Sequence, residues 1–264
     1  RSQPFSPIPA MKRAYSLKSS YMTQILRRYI FGDEPCEKII KDPALLHSNT
    51  FEERFEEMLH PYIGKSRTEL KAQFGITSIA KNINEILVAA MLGLKGRLAS
   101  TDEFQKASIV PKTITIGPGN TIKESMSFPA MDFCKMVNEK WEESDLYNCL
   151  APTKFLFIVF KREDDGEYYF RCIKFWNIPI EDLEEVHRVW QRTVDTLREG
   201  VHIWKDSRGR TCNNLPKASE SRVAHVRPHG RDSTDTTPLP TGGSMTKQCF
   251  WLNNSYVAKQ IKEV

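Results

Sequence analysis

Two apolar runs, residues 155–160 and 168–176, are separated by the turn signal Asp164-Asp165-Gly166, and this pair constrains the fold more than any other feature of the sequence. Run length and turn chemistry predict an antiparallel hairpin at the centre of a sheet. A helix is expected directly after it: Pro179 precedes an acidic first turn (Glu181, Asp182, Glu184, Glu185), Leu183, Val186, Trp190, Val194 and Leu197 share one face, and Gly200 ends it. Upstream, helices are expected up to Gly93: a short basic one over 21–30, one over 51–60 capped by Asn49-Thr50 and ended by Pro61, and one over 79–92. The last buries a face of Ile79, Ile83, Ile86, Leu87, Ala90 and Met91. Residues 109–116 alternate as a strand does, and Pro111 places that strand at an edge or a bulge. Beyond Gly200 the chain reads as a polar loop over 205–222, a short strand over 224–227, a second loop over 230–244, and a strand-to-helix passage from Cys249. The class is mixed α and β.

Arg1 opens the chain and residues 1–20 are rich in Pro and Ser, with Pro4, Pro7 and Pro9 near the start. This composition predicts a linker or surface arm, and a chain cut from a longer polypeptide. No apolar run approaches the roughly 20 residues that cross a bilayer. The six cysteines (36, 134, 149, 172, 212 and 249) are scattered without zinc spacing, as expected of reduced thiols in a cytoplasm. The net charge of +5 is too small to mark a nucleic-acid binder, but its placement is informative. Between His202 and Arg231 stand Lys205, Arg208, Arg210, Lys217, Arg222, Arg227 and Arg231 against only Asp206 and Glu220, an excess equal to that of the whole chain. Phosphate binding and simple solubility both draw on such a segment.

Five blocks carry a resemblance. They are Lys81-Asn-Ile-Asn-Glu-Ile-Leu-Val-Ala-Ala-Met-Leu-Gly93 followed by Glu103-Phe104 and Ile109-Val-Pro-Lys-Thr-Ile114; Trp141-Glu-Glu-Ser-Asp-Leu146; His225-Val-Arg-Pro-His-Gly-Arg231; and Phe250-Trp-Leu-Asn-Asn-Ser-Tyr256. In order and spacing the sequence resembles the MutH family of GATC-specific endonucleases. Within that family it is most similar to the C-terminal, non-catalytic half of the staphylococcal, GATC-cutting type II branch, whose members carry two MutH-like domains in tandem. The resemblance implies an α+β fold with a central mixed sheet flanked by helices and two lobes around a DNA cleft. It also implies an N-terminal extension over residues 1–50, with the short helix, and a MutH-like DNA-binding domain over 51–264.

Enzymes of this fold hold Mg²⁺ with an Asp and a Glu and place a Lys two residues beyond the Glu. The resemblance puts these positions on Glu103, Val110 and Lys112, a further helix Glu on Ala89 and a supporting Lys on Cys149. Only the Lys is unchanged. Val and Ala supply none of the hard oxygen ligands that Mg²⁺ requires, so no productive metal site is expected here, and Mg²⁺ belongs to the parent enzyme's catalytic domain. Two alternatives stay open: Glu103 and Lys112 as a surface ion pair or as separate solvated charges, and a site rebuilt from Asp102, Glu124, Asp132 or Glu143. The positions that contact GATC by resemblance fall on Lys81, Arg227 and Trp251. Arg227 is expected to reach a guanine edge in the major groove, held by Pro228, with His229 and Lys112 near phosphates. Against these stand a salt-bridged loop Arg227, a core Trp251 and a solvated His229. Asp232, Asp235 and Thr234, Thr236 and Thr237 read as a flexible loop whose hydroxyls are able to meet phosphates. Expected partners are double-stranded DNA containing GATC, the catalytic MutH-like domain of the same polypeptide and a second copy of the chain on DNA; no membrane is expected. The rival functions are an active Mg²⁺-dependent nuclease and a protein-docking module without DNA affinity.

Overall fold

The computed structural model describes residues 17–32 and 36–262. Pro4, Pro7 and Pro9, and most of the expected arm, lie outside them. The helices are α1 (Ser19–Tyr29), α2 (Phe51–Leu59), α3 (Arg67–Phe74), α4 (Ile83–Met91), α5 (Asp102–Ala107), α6 (Phe133–Met136), α7 (Asp145–Leu150), α8 (Ile180–Glu199) and α9 (Asn254–Lys262). The main strands are β1 (Ile109–Gly117), β2 (Thr121–Ile122), β3 (Met126–Ala130), β4 (Lys154–Arg162) and β5 (Tyr168–Trp176). Then come β6 (Ile203–Lys205), β7 (Thr211–Asn213), β8 (Ala224–Pro228), β9 (Thr236–Pro238), β10 (Ser244–Thr246) and β11 (Gln248–Leu252). The architecture is the expected mixed α+β class.

The largest sheet has the order β2-β1-β4-β5 and is mixed, because β4 runs parallel to β1 and antiparallel to β5. The predicted hairpin is present, but only β4 is interior and β5 is an outer strand. Strand β4 reads as an unbroken apolar run because both of its faces are covered. Phe155, Phe157 and Val159 enter one core with α8, β8, β11 and α9, whereas Leu156, Ile158 and Phe160 enter a second core with α2, α3, α4 and α5. The two cores lie on opposite faces of this sheet, which is their shared wall. Pro111 fits its strand because β2 pairs only with residues 116 and 117 of β1, leaving the Pro111 side free of a ladder partner.

Helix α2 starts with a reciprocal capping box between Thr50 and Glu53, and α8 runs from Pro179 to Gly200 as its acidic first turn and apolar face predict. Four details depart from the expectation. Helix α4 begins at Ile83, and Ile79 is 96% exposed rather than part of the buried face. The polar stretch 205–222 supplies the turn and second strand of the β6–β7 hairpin, and the loop over 230–244 contains β9, paired with β10. Residues 36–50 are packed onto the body: Ile39 and Ile40 are buried among Phe55, Leu59 and Phe104. Among the described residues no helix is long and apolar enough to cross a membrane.

Candidate nucleic-acid interface

The second sheet, with order β3-β11-β8, carries the site. On β11, Phe250 and Leu252 alternate with Cys249 and Trp251, and in register across the ladder Cys249 faces Arg227 and Trp251 faces His225. The alternation turns Val226, Phe250 and Leu252 into the core and puts Arg227 and Trp251 together on the opposite face. The Arg227 guanidinium lies over the Trp251 ring, 4.8 Å from its centroid, and Trp251 Nε1 donates to the Arg227 carbonyl at 3.4 Å. His229 meets the other side of the group edge-on, 5.6 Å from the indole. Arg227 is exposed, and no carboxylate pairs with it among the described residues, so the salt-bridged alternative is not what the structure contains. Trp251 is half-buried against Arg227 rather than a core aromatic.

Lys112 approaches this sheet from the other one. Residues 110, 112 and 114 of β1 stand opposite Phe155, Phe157 and Val159 of β4, so Val110, Lys112 and Ile114 share the face turned toward the β3-β11-β8 sheet. Lys112 Nζ donates to the carbonyl of Ser127, the residue of β3 in register with Trp251, at 3.5 Å. Burial lowers the pKa of Lys112 from the usual lysine value, while the nearby Cys149 and Cys249 thiols oppose the shift. Burial in turn raises the Cys149 thiol and pushes the Cys249 thiol up to about 11. Arg227, His229 and Trp251 are therefore one group, and Lys112 with Cys149 adjoins it through Cys249, the residue of β11 in register with Arg227. Lys81 is not brought to it: it lies exposed in the turn before α4, in the other lobe.

The positions that would hold a divalent ion do not fit one. Val110 is 37% exposed on the cleft face and offers no oxygen, and Ala89 is buried in α4. Glu103 is neither a surface ion pair nor a solvated charge. Its carboxylate accepts from the backbone N–H of Ile40 at 2.9 Å and of Ile39 at 3.0 and 3.1 Å, fastening the segment before α2 onto α5. The other carboxylates do not converge. Asp102 pairs with Lys106 at 2.8 Å, and Asp132 caps α6 by accepting from Lys135 N at 3.0 Å. Glu124 lines a cavity of about 350 Å³ beside Lys112 and Arg162, and no group of three His, Cys, Asp or Glu side chains is placed to hold a metal among the described residues.

The loop after Arg227 is built rather than plain. Asp235 accepts from Arg231 N at 3.0 Å and pairs with Lys247 at 2.7 Å, while Asp232 accepts from Thr234 N at 2.9 Å. Gly230 is required there, because a Cβ would stand 3.0 Å from the carbonyls of Asp232 and Asp235 and from Thr246 Cγ2. Beneath Arg227, buried His225 meets Asn253 through Nδ1 and Oδ1 at 2.5 Å, and Asn253 donates to the Ser221 carbonyl at 2.7 Å. Sequence reasoning assigned no role to this pair. Its signal is a His and an Asn that each flank a strand's apolar run, in the two blocks that pair as β8 and β11.

A mixed sheet flanked by helices, with a second sheet carrying the exposed Arg227, is consistent with a MutH-like restriction-endonuclease fold. The chain aligns over its whole length with the type II restriction enzyme Sau3AI of Staphylococcus aureus, at 39% identity over 303 residues, and spans 62% of that enzyme. The chain is thus similar to a type II restriction enzyme over its whole length. No protein-family profile matches the chain.

Proposed function

We propose that this chain binds duplex DNA at GATC without cutting it, and acts as the effector domain of a longer, cytoplasmic type II restriction endonuclease. The observation that carries the reading is the exposed Arg227 over Trp251, without a paired carboxylate among the described residues, with Lys112 on the adjoining sheet and metal positions that lack oxygen donors or have theirs engaged. Arg227 supplies the planar fork that suits guanine O6 and N7, Trp251 fixes its direction, and Lys112 and His229 meet phosphates. Lys81 contacts the duplex from the other lobe. Binding at this site raises cleavage by the parent's catalytic MutH-like domain only if it favours the active arrangement of the pair, which requires no chemistry here. Two copies on looped DNA are the corresponding assembly.

The test titrates the chain against a labelled duplex with one GATC and a matched duplex without it, at about 0.1 M salt, with Ca²⁺ and then Mg²⁺. Preferential binding without Mg²⁺-dependent cleavage is the expected result. Cleavage abolished by Glu103→Ala replaces it with the nuclease reading, absence of any preference overturns the GATC reading, and absence of any binding leaves a docking module.

A further inference from the structure

The β6–β7 hairpin lies outside the group just described and has no role in it. Its three-residue strands pair Ile203 with Asn213, Trp204 with Cys212 and Lys205 with Thr211, and all three residues of β6 are exposed. Such a short ribbon, with Ile203 and Trp204 39% and 36% exposed, contributes little to the core. Its turn is nevertheless stiff. Asp206 accepts from the backbone N–H of Arg208 and of Arg210, each at 2.9 Å, and from Arg210 Nε at 2.7 Å, while Gly209 takes the positive φ that the turn requires. The single carboxylate of the hairpin is thereby consumed in shaping it. At its base His202 stacks on Trp204, with centroids 5.1 Å apart, and Lys217 Nζ lies 5.4 Å from the centre of the same ring. Lys205, Arg208 and Lys217 have no carboxylate partner among the described residues.

The hairpin is continuous with the base-facing sheet. Val226, the neighbour of Arg227, donates its backbone N–H to the carbonyl of Pro216 at 2.8 Å, so residues 215–217 cover the outer edge of β8 and Lys217 sits about one strand spacing, roughly 5 Å, outside it. A duplex lying along Arg227 and Trp251 is longer than four base pairs, and its next phosphates pass over that edge. We propose that the β6–β7 hairpin is a second DNA contact in which Lys205, Arg208 and Lys217 hold backbone phosphates flanking the recognised bases, with Trp204 presenting Lys217. This contact carries affinity without sequence preference. It rests on the DNA-binding reading above but not on GATC as the bases read.

The test is the variant Lys205→Ala/Arg208→Ala/Lys217→Ala, which leaves Asp206, Arg210 and the turn intact, with Arg208→Glu alone as a second variant and thermal melting as the check that both fold. Each is titrated against a duplex of about 20 base pairs with a central GATC, the same length without GATC, and a duplex of about 8 base pairs with GATC. The triple variant is expected to lose at least about tenfold in affinity for both long duplexes, to match the native chain on the short one, and to lower the slope of log K against log salt by roughly 2 to 3. Equal affinity and slope on the long duplexes overturn the hairpin contact even where the native chain prefers GATC. A native chain without GATC preference, whose variant still loses affinity, keeps this contact and overturns the base reading instead. A native chain that binds no duplex overturns both.

Discussion

Replacing Glu103 by Ala removes one acceptor group from two buried-segment amides, the N–H of Ile39 and of Ile40, at 2.9 to 3.1 Å. A hydrogen bond to a charged group contributes about 1.5 to 3 kcal/mol, and because one carboxylate serves both donors the two are not additive. The gain in helix propensity of Ala over Glu offsets only a few tenths of a kcal/mol. A loss of about 3 kcal/mol is expected, since the segment it releases carries Ile39 and Ile40 out of the core; for a chain of this size that lowers Tm by about 6 to 12 °C. Glu103→Gln keeps a carbonyl oxygen for the same amides and should lose about half as much. The assay is urea unfolding of native, Ala and Gln chains with a GATC titration of each below the transition. Affinity should be unchanged and indifferent to Mg²⁺ in all three. A stability loss under about 1 kcal/mol, or a Mg²⁺-dependent property that both substitutions abolish alike, would refute the assignment of Glu103 as a structural clasp.

Three further expectations follow from the site. Lys112→Met removes a half-buried ammonium that no carboxylate neutralises, so it should raise stability by about 1 kcal/mol while lowering the salt slope of DNA binding by about 1; a variant that is destabilised, or binds with the native slope, contradicts the placement. Arg227→Lys keeps the charge but loses the planar fork, and should reduce the ratio of GATC to non-GATC affinity about tenfold with little change in non-specific binding, read by paired titrations. Burial lowers the pKa of His225 below 6.5, with Asn253 opposing and Arg227 assisting the shift, so the unfolded chain takes up this proton first. The His225 contribution is thus complete above about pH 6.5 and is lost as pH falls below it; Tm should drop as pH falls through that value, and His225→Gln should flatten that part of the profile.

Local signals were legible where one segment settles its own structure. The Thr50 cap of α2, the Asp-Asp-Gly turn, and the Pro179 and Gly200 limits of α8 are such cases. What depended on contacts between distant segments was not legible. Ile79 fits the period of α4, but the chain turns at residues 81–82, so a match to the pattern did not become burial. Glu103 looked like a remnant of a metal site because its partners are backbone amides 64 and 63 residues away, and backbone groups leave no mark on a residue pattern. The hairpin over 203–213 hid at the start of a polar segment because strands of three residues, those of β6 all exposed, are too short to display an apolar alternation.

The electrostatics of the cleft explain why the closed metal positions and the open cationic face belong together on the proposed reading. Two carboxylates and one Mg²⁺ sum to zero charge, so a nuclease of this fold presents phosphate with a neutral centre flanked by its lysine and arginine. A chain that lost the ion but kept the acids would set two negative charges beside Lys112, and within a Debye length of about 10 Å they would repel the phosphate that Lys112 and Arg227 attract. Here Val110 removes one charge from the face it shares with Lys112, and Glu103 spends the other on the backbone of residues 39 and 40. The lysine is left hydrogen-bonded to a carbonyl and beside two thiols, with no carboxylate paired to it among the described residues, so its charge stays available to an incoming anion. Losing the acids is therefore what allows a cleft without metal to keep its affinity for a polyanion, and a domain whose task is binding gains from the same substitutions that remove catalysis.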